Sequence, residues 1–430
     1  MRGLIVGAVV SAVLASSFVA GAGSVDAVPA GASAPGKVGW AGETRLSGRI
    51  DAWEPNVAAD PSSSHVYVIY NRPGGPRACA RCAKVPMVVQ ASPDGGRTWN
   101  APSYVCPCPH GRTQYDPSIH VTSTGVVQVV WLGWYSVFFA TSSDHGRTWS
   151  RPVEVSGPRW ADKPWIGSSS DGRDVYVSWS QGDLYMASSR DFGQSWSAPV
   201  KINTDKQHYY YPNGFAVLPG GTALMSASSY PCGKGTSQCR GPVNITVFRS
   251  TDGGATWAEE TIDTVSTGVD FDTSSTTTLA ADGAGDLVLV YGGARSLGAN
   301  GRVWVRRSTD GGRTWSAKTE LTPGAGSNGS FPAVAGFGAG RFVATHMDDR
   351  TGAWNTWART STDGGTTWSR DVRLSNATRG APYKSSSGFG GPYGDYDAVA
   401  ITASGSAVAV WGEGTGELAG PGGIWFSRQR

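Results

Sequence analysis

The chain has few charged residues and no helical pattern. Only 16% of its 430 residues are charged, and the formal net charge is +3. No basic stripe of the kind that follows a nucleic-acid backbone is present, so nucleic acid is not expected as a partner. After residue 40 no amphipathic run predicts a helix, and no apolar run is long enough to span a membrane. These absences favour a chain built from strands.

The abundant residues support that view. The sequence contains 60 glycines, 25 prolines and 18 tryptophans. Glycine and proline are typical of turns, whereas tryptophan, together with the many valines and threonines, is typical of strands.

The N-terminus has the pattern of a secretory signal peptide. Arg2 precedes the apolar run LIVGAVVSAVLASSFVAGA, and small residues allow cleavage after Ala22 or Ala27. We therefore expect a signal peptide over residues 1–27, a flexible leader over 28–42 and a secreted protein. The alternative interpretation of the apolar run is a membrane anchor.

One motif recurs along the rest of the chain. The pattern Ser-x-Asp-x-Gly-x-Thr/Ser-Trp occurs six times, and its aspartates are 50, 47, 61, 58 and 53 residues apart. This period is that of one four-stranded blade of a β-propeller. It predicts one large domain over residues 43–430. The six aspartates are Asp94, Asp144, Asp191, Asp252, Asp310 and Asp363.

The segments between the motifs give the number of blades. Seven fit the innermost strand A, from EPNVAAD at residue 54 to YDAVAIT at residue 396. The segment ETRLSGR, residues 43–49, is similar to the outer strand DVRLSNA, so it can pair with GIWFSRQR and complete the last blade. We expect an all-β, seven-bladed propeller closed by an N-terminal strand, or six blades if residues 209–263 are irregular.

The motif itself has the chemistry of a turn. Its aspartate can accept backbone N–H bonds, its glycine allows positive φ, and its tryptophan can pack between neighbouring sheets. Six copies around a ring indicate a structural role rather than a catalytic one.

These repeats resemble the Asp-box (BNR) repeats of bacterial sialidases and sialidase-like secreted propellers. The resemblance covers about residues 43–430 and implies a propeller fold. The segments DKPWIG, residues 162–167, and GDYDA, residues 394–398, resemble motifs of such propellers that lack the full sialidase site. The resemblance implies action on carbohydrate, but fold alone does not determine the sugar.

Strand direction assigns the loops to two rims of the ring. The Asp-box turns lie on one rim, the Asp-box rim, and the B–C loops and the starts of the A strands lie on the other, the A-strand rim. The resemblance implies that the A-strand rim holds the ligand.

All six cysteines map to the A-strand rim. An even number in an exported chain indicates disulfides, with Cys232–Cys239 the easiest pair to predict. The other four permit three pairings, and links from Cys79 and Cys82 to Cys106 and Cys108 would avoid a strained Cys-x-Cys bridge. With His110 nearby, the four could instead hold zinc.

Acidic and aromatic residues open the A strands around the axis, as a sugar site requires, although such groups can also merely line a watery channel. The acid/base candidates are Glu54, Asp116, Asp162 and Asp272, and Tyr396 is a candidate nucleophile or stabiliser, by resemblance to a Tyr-Ser-Asp stretch of sialidases. The substrate-binding candidates are Trp53, Tyr115, Lys163, Tyr211, Arg72, Arg295, Arg350 and Asp395.

A sialidase binds its substrate carboxylate through arginines and uses a tyrosine nucleophile activated by a glutamate. The family's first arginine would stand where this chain has Trp53-Glu54-Pro55, so that arginine is missing. Arg72, Arg295 and Arg350, in B–C loops, could replace it or could be solvated loop charges. No glutamate partner for Tyr396 can be assigned.

Three functions remain open for the sequence. The first is a sialidase-like glycoside hydrolase acting on extracellular glycans. The second is a non-enzymatic glycan-binding propeller with Trp53 and Trp134 as stacking platforms. The third is a polysaccharide lyase with His208 and Tyr209–Tyr211 as base and acid and Arg295 or Arg350 as neutraliser.

We expect a monomer that takes a glycan or glycoconjugate as partner and needs no cofactor. Acidic loops such as HMDDR, residues 346–350, lack the ligand spacing of an EF-hand, so no metal site is predicted.

Overall fold

A computed structural model describes residues 39–430 with gaps at 74, 107–112, 158–159, 205–208, 232–240, 269–275, 323, 325, 353, 377–383, 386–387, 390–395 and 414–421. The expected signal peptide and most of the expected leader lie outside the described residues. No helix in the described ranges is long and apolar enough to cross a membrane.

Thirty strands make up the described fold. The first, β1 (Thr44–Arg45), belongs to the last blade. Blades one to three contain β2 (Trp53–Ala59), β3 (Val66–Asn71), β4 (Met87–Ser92), β5 (Ser103–Tyr104); β6 (Gln114–Val121), β7 (Val127–Gly133), β8 (Ser136–Ser142), β9 (Val153–Glu154); and β10 (Asp162–Ser168), β11 (Val175–Gln181), β12 (Asp183–Ser189), β13 (Val200–Lys201).

Blades four to six contain β14 (Tyr209–Val217), β15 (Ala223–Tyr230), β16 (Pro242–Ser250), β17 (Ala258–Ser266); β18 (Thr277–Ala281), β19 (Leu287–Ala294), β20 (Gly301–Ser308), β21 (Thr319–Glu320); and β22 (Gly329–Phe337), β23 (Arg341–Asp348), β24 (Asn355–Ser361), β25 (Val372–Arg373). A short hairpin, β26 (Lys384–Ser385) and β27 (Gly388–Phe389), precedes β28 (Asp397–Ile401), β29 (Ala407–Glu413) and β30 (Gly423–Arg428) of blade seven.

The sheets confirm the seven-bladed propeller. Each blade is an antiparallel four-stranded unit, and blades four and five are joined by the single pair Ser266 and Ala294. The innermost strands contact one another in the order β2, β6, β10, β14, β18, β22 and β28, and β28 contacts β2. The ring is therefore closed, and residues 209–263 form a regular blade, which excludes the six-bladed alternative.

Closure uses the N-terminal strand, as expected. Thr44 and Arg45 pair with Phe426 and Trp425, so β1 is the outer strand of blade seven. Trp40 does not fit the flexible leader expected over residues 28–42, because it bridges Gln429 and is buried in the core between blades six and seven. A fully buried tryptophan removes too much apolar surface from water to belong to a flexible segment.

The Asp-boxes stabilise their own turns. In every box the serine Oγ donates to the aspartate, and the hydroxyl of the Thr or Ser four residues after the aspartate donates to its other oxygen; Ser92 and Thr98 do so with Asp94 at 2.9 and 2.7 Å. A backbone N–H also donates to the same carboxylate, as Thr98 N does at 2.8 Å. These bonds favour the charged form and lower the pKa of Asp144, Asp191, Asp252 and Asp363 to about 2.

The box tryptophans pack against the preceding blade. Trp99 meets Phe426 of blade seven edge-on with ring centroids 4.9 Å apart, and Trp196 meets Phe139 of blade two in the same way at 5.1 Å. The close approach requires glycine in the turn, because a Cβ on Gly96 would lie 2.3 Å from Phe426 Cζ. The boxes therefore link neighbouring blades as well as closing their own turns.

We expect acid to destabilise the ring through the boxes. An aspartate whose pKa falls from 3.8 to about 2 on folding stabilises the folded state above pH 4, and this contribution is lost as the pH falls through about 2. Measuring the free energy of unfolding by urea between pH 7 and pH 2 should show a plateau and then a decline. The Asp363→Asn variant should be less stable at pH 7 and show a shallower decline, and a stability that stays level down to pH 2 would contradict this role of the boxes.

We also expect the two adjacent box glycines to differ in their tolerance of alanine. Gly95 and Gly96 have φ of 71° and 83°, so alanine costs about 1–2 kcal/mol at either position. A Cβ at Gly95 meets only Arg97 Nη1 at 3.6 Å, whereas at Gly96 it overlaps Phe426 and adds about 1–3 kcal/mol. The free energy of unfolding, measured with urea, should be clearly lower for Gly96→Ala than for Gly95→Ala. Equal losses of free energy in the two variants would show that the contact with blade seven is unimportant.

Candidate functional site

A bulge at the start of several A strands places polar side chains at the axis. In β2, β6 and β10 the register shifts around a residue that precedes proline, and these residues, Glu54, Asp116 and Lys163, have φ of 54°, 49° and 49°. Such a bulge tolerates the proline, which cannot donate to the ladder. Left-handed backbone at non-glycine residues is costly and is often found at functional sites.

Three of the predicted residues meet in one hydrogen-bonded triangle. The Tyr396 hydroxyl donates to Asp116 Oδ1, and Lys163 Nζ lies 3.1 Å from the same oxygen and 2.9 Å from the Tyr396 oxygen. The Asp116 side chain is 8% exposed and that of Lys163 is 20% exposed, so the triangle is largely shielded from water. The carboxylate can accept the phenol proton while the ammonium stabilises the resulting oxyanion.

A second carboxyl group lies beside the triangle. Burial, followed by the negative charge of Asp116, raises the pKa of Asp162 to about 6, against the opposing effects of Lys163 and a hydrogen bond from Tyr209. Tyr209 OH donates to Asp162 Oδ2, and burial raises the pKa of Tyr209 above its usual range. Asp162 can therefore carry a proton near neutral pH, as a general acid must.

Glu54 accepts a hydrogen bond from the backbone of Asp116. Its Oε2 accepts a hydrogen bond from Asn71 Nδ2 at 2.6 Å and another from the backbone N–H of Asp116 at 2.8 Å. The Glu54 residue is buried. These contacts make Glu54 a positioning group for the Asp116 backbone.

A cavity of about 160 Å³ opens at this point of the axis. Lys163, Tyr211 and Tyr396 line it, and Lys163 Nζ lies 4.6 Å from the centre of the Tyr396 ring and 6.0 Å from that of Tyr211. Aromatic faces beside polar groups form the kind of surface that binds a sugar ring.

The candidate arginines lie elsewhere. Arg295 pairs with Glu320 at 2.9 Å and its side chain is 68% exposed, and Arg350 is held by Asp348 and, at 2.5 Å, by Asp371. Asp371 and Glu320 adjoin or belong to outer strands, so both arginines are directed away from the axis. Arg72 is buried just after β3, and neither it nor the other two lines the cavity.

The remaining candidates are divided between the channel mouth and the undescribed residues. Trp53 and Tyr115 stack with ring centroids 6.5 Å apart, and Trp53 Nε1 donates to Asp51 at 3.0 Å. Asp272, Asp395 and the lyase candidate His208 lie outside the described residues.

The cysteines correct one expectation. Cys79 and Cys82 form a disulfide with each other, with Cα atoms 5.0 Å apart, so the expected links from this pair to Cys106 and Cys108 are wrong. The turn in which Cys82 N donates to Cys79 O at 3.0 Å brings the two residues within bridging range. A disulfide sulfur is not a thiolate, which also excludes the zinc alternative for this pair.

Other cysteines agree with an oxidised chain. Cys106 is disulfide-bonded as well, and no described cysteine is free. Cys108, Cys232, Cys239 and His110 lie outside the described residues. The Cys79–Cys82 loop follows Asn71, which pairs with Trp53 at one end of the sheet. The first Asp-box begins at Ser92, which pairs with Val66 at the other end. The loop and the box therefore occupy opposite rims, as expected.

Several cavity residues were missed by the sequence reasoning. They are Asn56, Trp165, Asn213, Tyr230, Thr277 and Asp397. Asn56 and Trp165 follow the prolines of their A strands and could have been found by extending the search beyond the bulge. Tyr230 ends β15 and carries no comparable signal, because only the folded ring brings a B strand to the axis.

One group on the Asp-box rim has metal-ligating residue types. Ligand atoms of Asp60, His65 and His145 lie within 4.8 Å of one another. The two imidazole rings stack with centroids 3.8 Å apart and planes 4° apart, so their in-plane lone pairs run parallel and do not converge on one ion. Hydroxyls of Ser63 and Tyr67 already contact the Nδ1 atoms of His65 and His145, and this arrangement does not suit a single metal ion.

Three solved structures are similar to the chain, and the first of them shares its fold. The chain is similar to an ulvan lyase, a polysaccharide lyase, with 12% identity and a TM-score of 0.56 over 88% of this chain and 95% of that one. It is also similar to the NanB sialidase from Streptococcus pneumoniae, with 9% identity and a TM-score of 0.48 over 90% of this chain and 69% of that one. A protein of unknown function from Dyadobacter fermentans is 15% identical, with a TM-score of 0.48 over 89% of this chain and 96% of that one.

The sequence comparison identifies the family. None of the curated proteins compared with the chain matches it. The model of the BNR repeat-like domain matches residues 74–231 and 233–383, which together are most of the chain. The expected relationship to Asp-box propellers is thus confirmed, and the protein belongs to the BNR repeat-like domain family.

Proposed function

We propose that this protein is a secreted, monomeric glycoside hydrolase of sialidase-like type that acts on extracellular glycans. The observation that carries the proposal is the triangle of Asp116, Lys163 and Tyr396 beside Asp162, whose pKa is raised to about 6. The Cys79–Cys82 disulfide and the signal-like N-terminus support an extracellular location.

The groups suit a two-step, retaining reaction. In the first step the Tyr396 oxygen bonds to the anomeric carbon, its proton passes to Asp116, and protonated Asp162 gives its proton to the leaving oxygen as the glycosidic bond breaks. Lys163 stabilises the phenolate character of Tyr396 during attack and departure. In the second step a water molecule attacks the anomeric carbon and gives a proton to Asp162. The bond from the anomeric carbon to the Tyr396 oxygen breaks, and Asp116 returns a proton to that oxygen.

The charges at the site favour a neutral glycan. Asp397 lines the cavity, the buried carboxyl groups of Asp116 and Asp162 interact with Lys163, and Lys163 is already paired with Asp116. A sugar carboxylate would meet repulsion there, and Arg295 and Arg350 are committed to ion pairs away from the axis. We therefore place neutral glycans ahead of sialosides and uronate polymers as substrates.

Incubation with three glycan groups tests the reaction. Neutral polysaccharides (laminarin, xylan, galactomannan and arabinan), sialyllactose, and a uronate polymer should be compared by reducing-end release, free sialic acid and absorbance of unsaturated uronate. New reducing ends from a neutral glycan support the proposal. Unsaturated uronate would indicate a lyase instead, and binding without any turnover would indicate a glycan-binding propeller.

The variants Tyr396→Phe and Asp162→Asn should lower kcat on the cleaved glycan by about 10²–10⁴-fold, because each removes a group that transfers or accepts a proton in the transition state. Steady-state kinetics should show the loss in kcat while binding of the glycan persists. Tyr185→Phe and Asp171→Asn are the matched controls, since both lie away from the channel, and they should retain activity. A Tyr396→Phe variant with full kcat would remove the tyrosine from the mechanism.

The pKa of Asp162 should respond in opposite directions to two changes. Tyr209→Phe removes a hydrogen bond to the charged form, so the pKa should rise above about 6; Asp116→Asn removes a nearby negative charge, so it should fall. Carboxyl carbon NMR titration measures both. Because the acid must be protonated, kcat should fall as the pH rises through this pKa, and the fall should occur at higher pH in Tyr209→Phe. Shifts of the same sign would contradict the assigned causes.

A further inference from the structure

Exposed aromatic side chains gather on one part of the A-strand rim. Trp134, Tyr135 and Trp160 are 64%, 47% and 44% exposed. Trp134 and Tyr135 form the loop between β7 and β8, and Tyr135 O accepts a hydrogen bond at 2.8 Å from the backbone N–H of Ala161, the residue after Trp160. The three rings thus belong to two adjoining loops, the β7–β8 turn of blade two and the connection from blade two to blade three.

The turn that carries two of these rings is built from unfavourable residues. Gly133 pairs directly with Ser136, so Trp134 and Tyr135 are the two central residues of a tight hairpin, with φ of 55° and 68°. Two positive φ values are typical of a type I′ turn, whose preferred residues are Asn and Gly. Bulky side chains are rare in this backbone conformation, and because both rings project into solvent, packing does not explain their presence.

Contacts connect this turn to the candidate site. Tyr115 pairs with Leu132 two residues before the turn, and its ring stacks with that of Trp53 at the channel mouth. Burial is the largest cause of the raised pKa of Tyr115, and the charges of Glu54, Asp116 and Tyr135 raise this pKa further. Trp134 and Tyr135 in turn have ring centroids 6.4 Å apart. Two ring pairs, Trp53 with Tyr115 and Trp134 with Tyr135, are therefore connected through the pairing of β6 with β7.

We propose that Trp134, Tyr135 and Trp160 form a stacking platform for sugar units of a neutral polymeric glycan whose chain continues into the channel. Sugar rings stack on exposed aromatic faces without needing a charge, and several such faces on adjoining loops suit several successive units. The substrate is then a long chain rather than a single terminal sugar. Its outer units bind the platform, and the bond that is cleaved lies in the channel. The identity of the ligand as a glycan rests on the proposed function.

The residue preference of the turn supplies a clean variant. Trp134→Asn with Tyr135→Gly installs the favoured Asn-Gly pair, so the melting temperature should stay level or rise while the rings are lost. Phe192→Asn is the matched control: Phe192 is also aromatic, 52% exposed and at a φ of 64°, but it lies in an Asp-box turn on the other rim. Trp160→Ala tests the platform without altering the hairpin.

Native affinity electrophoresis through gels containing laminarin, xylan, galactomannan or arabinan provides the readout. The unmodified protein should be retarded by at least one of these polysaccharides. The double variant should bind that polysaccharide at least tenfold more weakly, Trp160→Ala should also weaken it, and Phe192→Asn should not. Asp162→Asn should bind normally, which separates the platform from catalysis.

The platform is overturned if none of the four polysaccharides retards the unmodified protein. It is also overturned if the folded double variant and Trp160→Ala are both retarded as strongly as the unmodified protein. If Phe192→Asn weakened polysaccharide binding as much as the double variant does, the platform would also be overturned. Binding through the platform without cleavage of any glycan would end the hydrolase proposal and leave the platform standing. If the protein cleaved a polymer and the double variant were retarded as strongly as the unmodified protein, the hydrolase proposal would stand and the platform would fail.

Discussion

The pairing of β1 with β30 is the constraint on which the site depends. Asp116 and Lys163 belong to blades two and three, whereas Tyr396 precedes the first strand of blade seven, so their hydrogen bonds cross the central channel. Thr44 and Arg45 supply the outer strand of blade seven, and Trp40 fills the space between blades six and seven. If this closure opened, blade seven would lose an edge partner and Tyr396 would no longer face Asp116.

The two rims divide stability from chemistry. On the Asp-box rim, one motif repeats six times. In each copy the aspartate carboxylate accepts hydrogen bonds from its own turn, and the tryptophans of the first and third copies pack on the preceding blade. On the A-strand rim, the residues before the prolines differ from blade to blade, and four of them are held at positive φ: Glu54, Asp116, Lys163 and Phe331. Repetition is suited to structure, whereas a single asymmetric site requires differences among blades.

Features that follow local rules were predictable from the sequence, whereas contacts between residues across the ring were not. The motif period predicted propeller blades, the segments between the motifs predicted seven of them, and the similarity of ETRLSGR to an outer strand predicted closure. Sequence reasoning left Tyr396 without a partner, because Asp116 is 280 residues away. The pairing of Cys79 with Cys82 was missed because it depends on a local turn that composition does not reveal. Arg295 and Arg350 were candidates by loop position, but their side chains turn to outer carboxylates.

The repeat, the turn chemistry of the boxes and the residue types that open each A strand can be read from short segments of sequence, because they depend on backbone preferences within a few residues. Which of those side chains share a site depends on the folded ring. Hydrogen bonds act over about 3 Å, so the meeting of Asp116, Lys163 and Tyr396, and the raised pKa of Asp162 beside them, exist only once seven sheets have closed around one axis.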